Sequence, residues 1–137
     1  MRSMTAETVL AYYKSFNAGD WEGMLSLLSD DVAHDLNQGG REVGKPAFRA
    51  FLKRMERSYK ERLEDVVILG DGARIAAEYL VVGTYAKTDE GLPPATGQTY
   101  RLPGGAFFEL ADGHITRVTN YYNLQQWLRL IVSGSSR

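Results

Sequence analysis

The chain has 137 residues, of which 44% are hydrophobic and 24% are charged, so it is predicted to fold as an ordinary globular domain with a substantial core. Its net charge of −1 arises from intermingled acids and bases, which excludes the basic field that binding to nucleic acids or anionic membranes usually needs. The absence of cysteine excludes disulfides, thiolate metal sites and a cysteine nucleophile.

The N-terminal sequence, MRSMTAETVLAYY, contains no apolar run long enough for a signal peptide or a membrane span. We therefore expect a cytoplasmic protein that binds neither membranes nor nucleic acids. One domain is expected to span residues 1–137, with a polar tail at 133–137.

Two helices are predicted in the first 28 residues. Thr5 is expected to cap the first helix, whose apolar residues recur at three- and four-residue spacing until Gly19 ends it. Asp20 is expected to cap a shorter second helix with apolar residues up to Leu28. Helices joined so tightly form a corner with one shared apolar side.

Residues 29–52 bring ionisable and amide side chains close together. A strand over residues 32–36 would place His34 on its apolar face and Asp35 on the opposite face, because side chains alternate along a strand. Asn37 follows directly, just before a Gly-Gly turn. A base, an acid and a neutral hydrogen-bonding group within a few residues make this segment the first candidate for a site.

The rest of the chain changes from helical to strand periodicity. Pro46 is expected to begin a third helix, and from Leu63 the apolar residues follow a period of two. Residues 87–98 are predicted to be a loop. The Pro-Gly-Gly run at 103–105 suits either a bulge or a place where another group approaches the backbone closely. After the last hairpin, Asn123 is expected to cap a closing helix.

This order of elements predicts an α+β fold: a cone-shaped α+β barrel in which three N-terminal helices pack on a curved antiparallel sheet. A sheet closed on one side by helices leaves a mouth where a small apolar molecule could bind.

Three phrases, YYKSFNAGDWEGMLSLLSDDV, REVGKPAFRAFL and FFELADGHITRVTNYYNLQQW, span most of the chain. With them the sequence resembles the nuclear transport factor 2-like superfamily, which has a cystatin-like fold, and within it the SnoaL-like, ketosteroid isomerase-related proteins. The resemblance implies the fold. It leaves the activity open, because isomerases, cyclases, epoxide hydrolases, dehydratases and binding modules share that fold.

Ketosteroid isomerases use a carboxylate base, a tyrosine on the first helix and a protonated aspartic acid. Residue by residue, the resemblance matches Tyr12 to that tyrosine and places the base at Leu36. It places the second acid at Gly105 or Ala106, neither of which has a donor side chain. The aspartate of SnoaL-like cyclases falls at Asn123. A steroid isomerase is therefore not expected.

His34 is the first candidate for moving a proton, because its ordinary pKa lies near neutrality; a buried structural histidine is the alternative. Asp35 would act as a base only if a bulge turned it inward, and otherwise it would be solvated or cap a turn. Asn37 could orient a carbonyl or simply serve the turn. Asn120, in the middle of an apolar strand face, is expected to contact a ligand or a polar partner.

The aromatic residues Tyr122, Phe108 and Trp127 are predicted to bind substrate, with an ordinary core position as the alternative. The two histidines form no metal motif and no Gly-rich phosphate loop is present, so neither a metal nor another cofactor is implied.

Two functions follow as hypotheses. In the first, an enzyme binds an apolar carbonyl compound and moves a proton with His34 or Asp35, while Tyr12, Asn120 or Tyr122 stabilises the oxyanion. In the second, the same cone serves a non-catalytic binding or dimeric assembly domain. In both, a homodimer through the exposed sheet face is expected.

Overall fold

The computed structural model describes residues 3–134. Within that range the chain forms four helices and six strands. The helices are α1 (Met4–Ala18), α2 (Trp21–Ser26), α3 (Lys45–Ser58) and α4 (Leu124–Gly134). The strands are β1 (Leu28–Asp35), β2 (Arg41–Val43), β3 (Tyr59–Leu69), β4 (Arg74–Tyr85), β5 (Gln98–Ala111) and β6 (His114–Tyr122). The predicted α+β class is confirmed.

The strands form one curled sheet in the order β2-β1-β6-β5-β4-β3. Because β2 and β3 remain its two edges, the sheet forms an open cone rather than a closed barrel. All neighbours are antiparallel except β1 and β6, which run parallel. The predicted antiparallel sheet thus has one parallel pair, for which α3 and the β3–β5 meander provide the long crossover that parallel neighbours require.

Two boundaries near the N-terminus differ from the prediction. Ser3, not Thr5, caps α1, since its hydroxyl accepts from a first-turn backbone N–H at 3.1 Å and Thr5 lies inside that turn. Helix α2 ends at Ser26, so Leu28 already belongs to β1 and pairs with Ile115 of β6. The apolar character of Leu28 comes from strand burial rather than from helix packing.

The Pro-Gly-Gly run of β5 contains no bulge. Residues Pro103, Gly104 and Gly105 pair with β4 in unbroken register, so the bulge alternative is wrong. A Cβ atom on Gly104 would lie 2.7 Å from Cε1 of Tyr79, which is too close for real atoms. The glycine therefore provides the close approach that the sequence suggested as the other possibility, here by an aromatic ring.

A bulge that the sequence did not reveal bends β3. The pairing of β3 with β4 shifts between Glu64 and Val67, and Asp65 has a φ of 55°. Asn17 at the end of α1 holds the strand beside this bulge: its amide donates to the carbonyl oxygen of Leu63 at 3.0 Å and accepts from the Leu63 N–H at 2.8 Å. Helix α1 is thereby fixed to the edge of the sheet.

The core has two parts. The larger part lies between helices α1–α3 and the concave face of the sheet. The smaller part gathers Tyr85, Tyr100 and Leu102 around Trp127 of α4. As predicted, Asn123 caps α4, accepting from a first-turn N–H at 3.0 Å. Of the predicted tail, residues 133–134 belong to α4, and residues 135–137 lie outside the described residues.

Between residues 3 and 134, none of the helices has the length and apolar character needed to cross a membrane.

Candidate functional site

A cavity of about 800 Å³ lies between the helices and the concave face of the sheet. That volume is within the range of pockets that hold drug-sized molecules. Its wall is largely apolar, with side chains from both layers of the fold. Among them are Phe16, Met24, Phe48, Phe51, Leu52 and Leu102.

Most of the predicted site residues line this cavity. Those that do are Tyr12, His34, Asn37, Asn120, Tyr122 and Trp127. Phe108 does not: it is fully buried, with its ring packed edge-on against Tyr12 and Tyr13 at 5.5 and 5.8 Å between centroids. Phe108 thus has the core position that the sequence suggested as the alternative, packed against two tyrosine rings of the cavity wall.

Asp35 lies on the opposite face of the sheet, as regular alternation along β1 requires. Arg41 binds it through two hydrogen bonds of 2.6 and 3.1 Å, and Thr119 donates a third at 2.7 Å. The bonds from Arg41, then that from Thr119 and the charge of Arg117, lower the pKa of Asp35 to about 2. The inward orientation that would have made Asp35 a base for the cavity does not occur.

His34 is 1% exposed and lies between the rings of Phe48 and Phe51, each 4.6 Å from its own ring. Its Nε2 atom is 3.2 Å from Nδ2 of Asn120, and its Nδ1 atom is 3.9 Å from a carboxylate oxygen of Glu42. Because an amide nitrogen can only donate, Nε2 accepts from Asn120, and the proton of the neutral imidazole lies on Nδ1. Asn120 thus has the polar partner that the sequence predicted.

Burial lowers the pKa of His34 to about 4, because a charged imidazolium would have to give up its hydration among aromatic rings. At neutral pH His34 is therefore uncharged. Its one lone pair is already engaged by Asn120. These surroundings favour a hydrogen-bonding role for His34 over the proton-carrying role that the sequence suggests.

The segment after β1 is attached to the end of β6 at the cavity wall. Asn37 accepts from the backbone N–H of Tyr122 at 2.9 Å, and Gln38 donates from its amide to the Tyr122 hydroxyl at 3.0 Å. The side-chain carbonyl of Asn37 is therefore occupied by a backbone hydrogen bond, whereas the phenol of Tyr122 lines the cavity. Burial raises the pKa of Tyr122, so its hydroxyl keeps its proton at neutral pH.

Tyr12 projects from α1 into the cavity wall and is 6% exposed. Burial raises its pKa far above the ordinary value, so the phenol remains neutral and can serve as a donor. The hydroxyl of Tyr13 beside it is buried, and the Tyr13 ring lies 5.4 Å from that of Tyr79.

The structure also places a carboxyl group in the cavity that the sequence analysis missed. Glu61 of β3 lines the cavity and accepts a hydrogen bond of 2.5 Å from the hydroxyl of Tyr100 on β5. The two residues lie 39 positions apart in sequence, so no local motif joins them. The available signal was the alternation in β3, which puts Glu61 in phase with buried Leu63.

The loop between β4 and β5 packs at the same end of the cavity as Glu61. The Tyr59 hydroxyl donates a hydrogen bond to the Asp89 carboxylate at 2.8 Å, and the Tyr85 hydroxyl donates one to the carbonyl oxygen of Pro93 at 2.7 Å. Asp89 and Leu92 consequently form part of the cavity wall.

Across residues 3–134, no three histidine, aspartate or glutamate side chains are grouped closely enough to hold a metal ion.

The open cone of mixed helices and sheet, with its cavity on the concave side, defines a nuclear transport factor 2-like fold. The profile of the SnoaL-like domain matches residues 9–118, and the chain belongs to this SnoaL-like family. Among curated proteins, none matches the chain.

Two solved structures are similar in both sequence and fold. A proposed polyketide cyclase from Xanthomonas campestris is 58% identical, with a TM-score of 0.91 over 93% of this chain and 96% of that one. A second, from Pseudomonas putida, is 53% identical, with a TM-score of 0.91 over 96% and 99%. An epoxide hydrolase from Mycobacterium tuberculosis, 18% identical, shares the fold alone, with a TM-score of 0.77 over 97% and 92%.

Proposed function

We propose that this protein is a cofactor-independent enzyme of the cyclase or isomerase type, which binds an apolar, carbonyl-bearing small molecule and moves protons on it. The observation that carries the proposal is the 800 Å³ cavity, whose apolar wall is interrupted by the buried His34–Asn120 pair. Membership of the SnoaL-like family and similarity to two proposed polyketide cyclases support it.

The His34–Asn120 pair is suited to binding a polar substrate group. In an apolar surrounding, an amide group held in a fixed orientation interacts strongly with a carbonyl or hydroxyl, because it need not reorganise as charge develops. His34 supplies that orientation through the bond from Asn120, and the two phenylalanine rings keep the imidazole in place. Tyr12 and Tyr122 add neutral phenol groups to the wall.

A non-catalytic binding module is the second candidate. It is favoured by the absence of the acids that the related enzymes use. Leu36, either Gly105 or Ala106, and Asn123 occupy those positions, and Asp35 faces away from the cavity. The cavity itself would serve a binding module equally well.

A thermal-shift screen tests both candidates with apolar ketones, steroids and polyketide-like aromatic compounds as probes. A ligand that binds only the folded protein raises its melting temperature, so weak binders register at high concentration. Asn120→Leu should weaken binding of the carbonyl compounds. Tyr121→Phe is the matched control, because Tyr121 is the neighbouring residue on the outer face and is 56% exposed.

The compounds that bind are then incubated with protein and followed by mass spectrometry and chromatography. Conversion of any of them supports the enzyme. Binding without conversion supports the binding module, and failure of the whole panel to bind contradicts both candidates.

A further inference from the structure

Glu61 and its surroundings form a second polar cluster in the cavity, distinct from the His34–Asn120 pair. Glu61 is aligned with Gly83 of β4, and Gly83 is aligned with Tyr100 of β5, so the glutamate and the tyrosine meet across the intervening strand. The Tyr100 hydroxyl donates to Oε2 of Glu61. The other carboxylate oxygen, Oε1, has no hydrogen bond among those resolved within residues 3–134.

Gly83 makes this contact possible. A Cβ atom at position 83 would lie 2.6 Å from the Tyr100 hydroxyl and 2.8 Å from Cγ of Glu61. Any other residue would push the two side chains apart. The strand therefore leaves a gap in which the carboxyl–phenol pair lies.

The surroundings of Glu61 are polar but contain few compensating charges. The cations of its own strand that reach the cavity wall are Lys60 and Arg62, and Arg62 pairs with Glu64 at 2.7 Å. On the other elements, the titratable groups that interact with Glu61 are Tyr100, Tyr79 and Tyr122. Tyr59 of the same strand and Asp89 of the β4–β5 loop line the same cavity. None of these is a cation.

Burial consequently raises the pKa of Glu61, and the hydrogen bond from Tyr100 opposes part of that effect. A carboxyl group whose pKa lies closer to neutrality is a stronger base when ionised and a usable acid when protonated. His34, with a pKa of about 4 and its lone pair engaged, has neither property.

We propose that Glu61 is the proton-transferring residue of the cavity and that Tyr100 is its positioning residue. This inference rests on the proposed function and deepens it. The Glu61 carboxylate would take a proton from a carbon next to a carbonyl, and the electron pair of the broken C–H bond would form an enolate. The carboxylic acid so formed would return the proton at another carbon, so no oxidant, reductant or cofactor is consumed.

The two polar clusters also describe the substrate class. Asn120 is aligned with Ala106 on β5, six residues beyond Tyr100, which corresponds to roughly 20 Å of extended strand. The two clusters therefore lie at different positions along the cavity wall. The substrate that uses both is an elongated, mostly apolar compound with a reactive carbonyl at the Glu61 end and a second polar group at the His34–Asn120 end.

The first test needs no substrate. In a ¹³C NMR titration of the glutamate side-chain carboxyl groups, one resonance should titrate above the ordinary range and disappear in Glu61→Gln. Tyr100→Phe should move that resonance to still higher pH, because the phenol no longer stabilises the carboxylate. Glu78→Gln, the same change at an exposed position of β4 outside the cavity wall, should leave it unchanged. A wild-type protein without such a resonance overturns the proposal.

The second test uses 5-nitrobenzisoxazole, a small apolar carbon acid, as the probe. Glu61 would take the proton from C3, the C–H electron pair would complete a nitrile, and the N–O bond would break to release a coloured phenolate. Glu61→Gln should lower kcat/KM by about 100-fold or more, the range for loss of a general base, and Glu78→Gln by less than about twofold. Tyr100→Phe should shift the midpoint of the pH–rate profile to higher pH.

An unchanged rate in a folded Glu61→Gln protein overturns the proposal, as does a wild-type rate no faster than acetate buffer. The outcomes separate the inference from the proposed function. Binding of the carbonyl panel without any Glu61 dependence leaves the proposed function and removes the role of Glu61. Glu61-dependent elimination without binding of the panel keeps the role of Glu61 and removes the proposed function.

Discussion

Acid should destabilise this protein in a way that depends on His34. Between its ordinary pKa of 6.5 and its pKa of about 4 in the folded protein, His34 takes up a proton only when the chain unfolds. The unfolded state therefore gains stability as the pH falls through this window. At about 1.4 kcal/mol per pH unit, the whole shift corresponds to a loss of about 3 kcal/mol of unfolding free energy between pH 6.5 and 4.

The matched variant is His34→Gln, which keeps a hydrogen-bonding side chain beside Asn120 and stays neutral at every pH. Urea unfolding of both proteins at intervals from pH 7.5 to 4 gives the difference in unfolding free energy at each pH. Titration of the other groups, including Asp35 and Glu61, occurs in both proteins and largely cancels in the difference.

We expect the advantage of the wild type over His34→Gln to shrink by about 3 kcal/mol as the pH falls from 6.5 to 4. The sign is fixed by the direction of the shift: a histidine whose pKa is lowered by folding stabilises the neutral-pH fold and not the acidic one. A difference that stays constant over this range would show that His34 is not held neutral by burial.

Three further changes test the fold and its surface. Gly104→Ala should cost about 1–3 kcal/mol in urea unfolding, because its Cβ would overlap the ring of Tyr79; an unchanged midpoint would mean that the ring moves freely. Asn17→Ala should cost about 1–3 kcal/mol, since it leaves the N–H and carbonyl of Leu63 beside the bulge without their partner, and a neutral result would show that water replaces the amide. We expect two copies of the chain to associate through the outer sheet face, where Phe107 is 48% exposed. Light scattering should then give a dimeric mass for the wild type and a monomeric mass for Phe107→Glu. A monomeric wild type would contradict this expectation.

Elements whose signals are local could be predicted from sequence. The cap at Asn123 follows from one side chain and the helix after it, and the turn at Asp112-Gly113 follows from residues that tolerate a positive φ. The errors at Thr5 and Leu28 have a different origin. Serine and threonine cap helices similarly, and leucine suits both a helix end and a buried strand, so the neighbouring sequence cannot decide between them.

The site shows the same division. Alternation along β1 correctly separated His34, which lines the cavity, from Asp35, which lies on the outer face. The same rule applied to β3 would have turned Glu61 inward. It could not have shown that Tyr100 would meet Glu61, because that contact joins strands that are not neighbours, through the space left by Gly83.

The sequence by itself determined the periodicity of the helices and strands, most of the caps and turns, and the face on which His34 and Asn120 lie. These depend on interactions over a few residues, where propensity and alternation are sufficient. Only the tertiary structure decided the parallel pairing of β1 with β6, the neutral state of His34, and the pairing of Glu61 with Tyr100. Strand order, desolvation and contacts across the sheet depend on residues far apart in the chain, and local sequence patterns do not predict which of these residues come into contact.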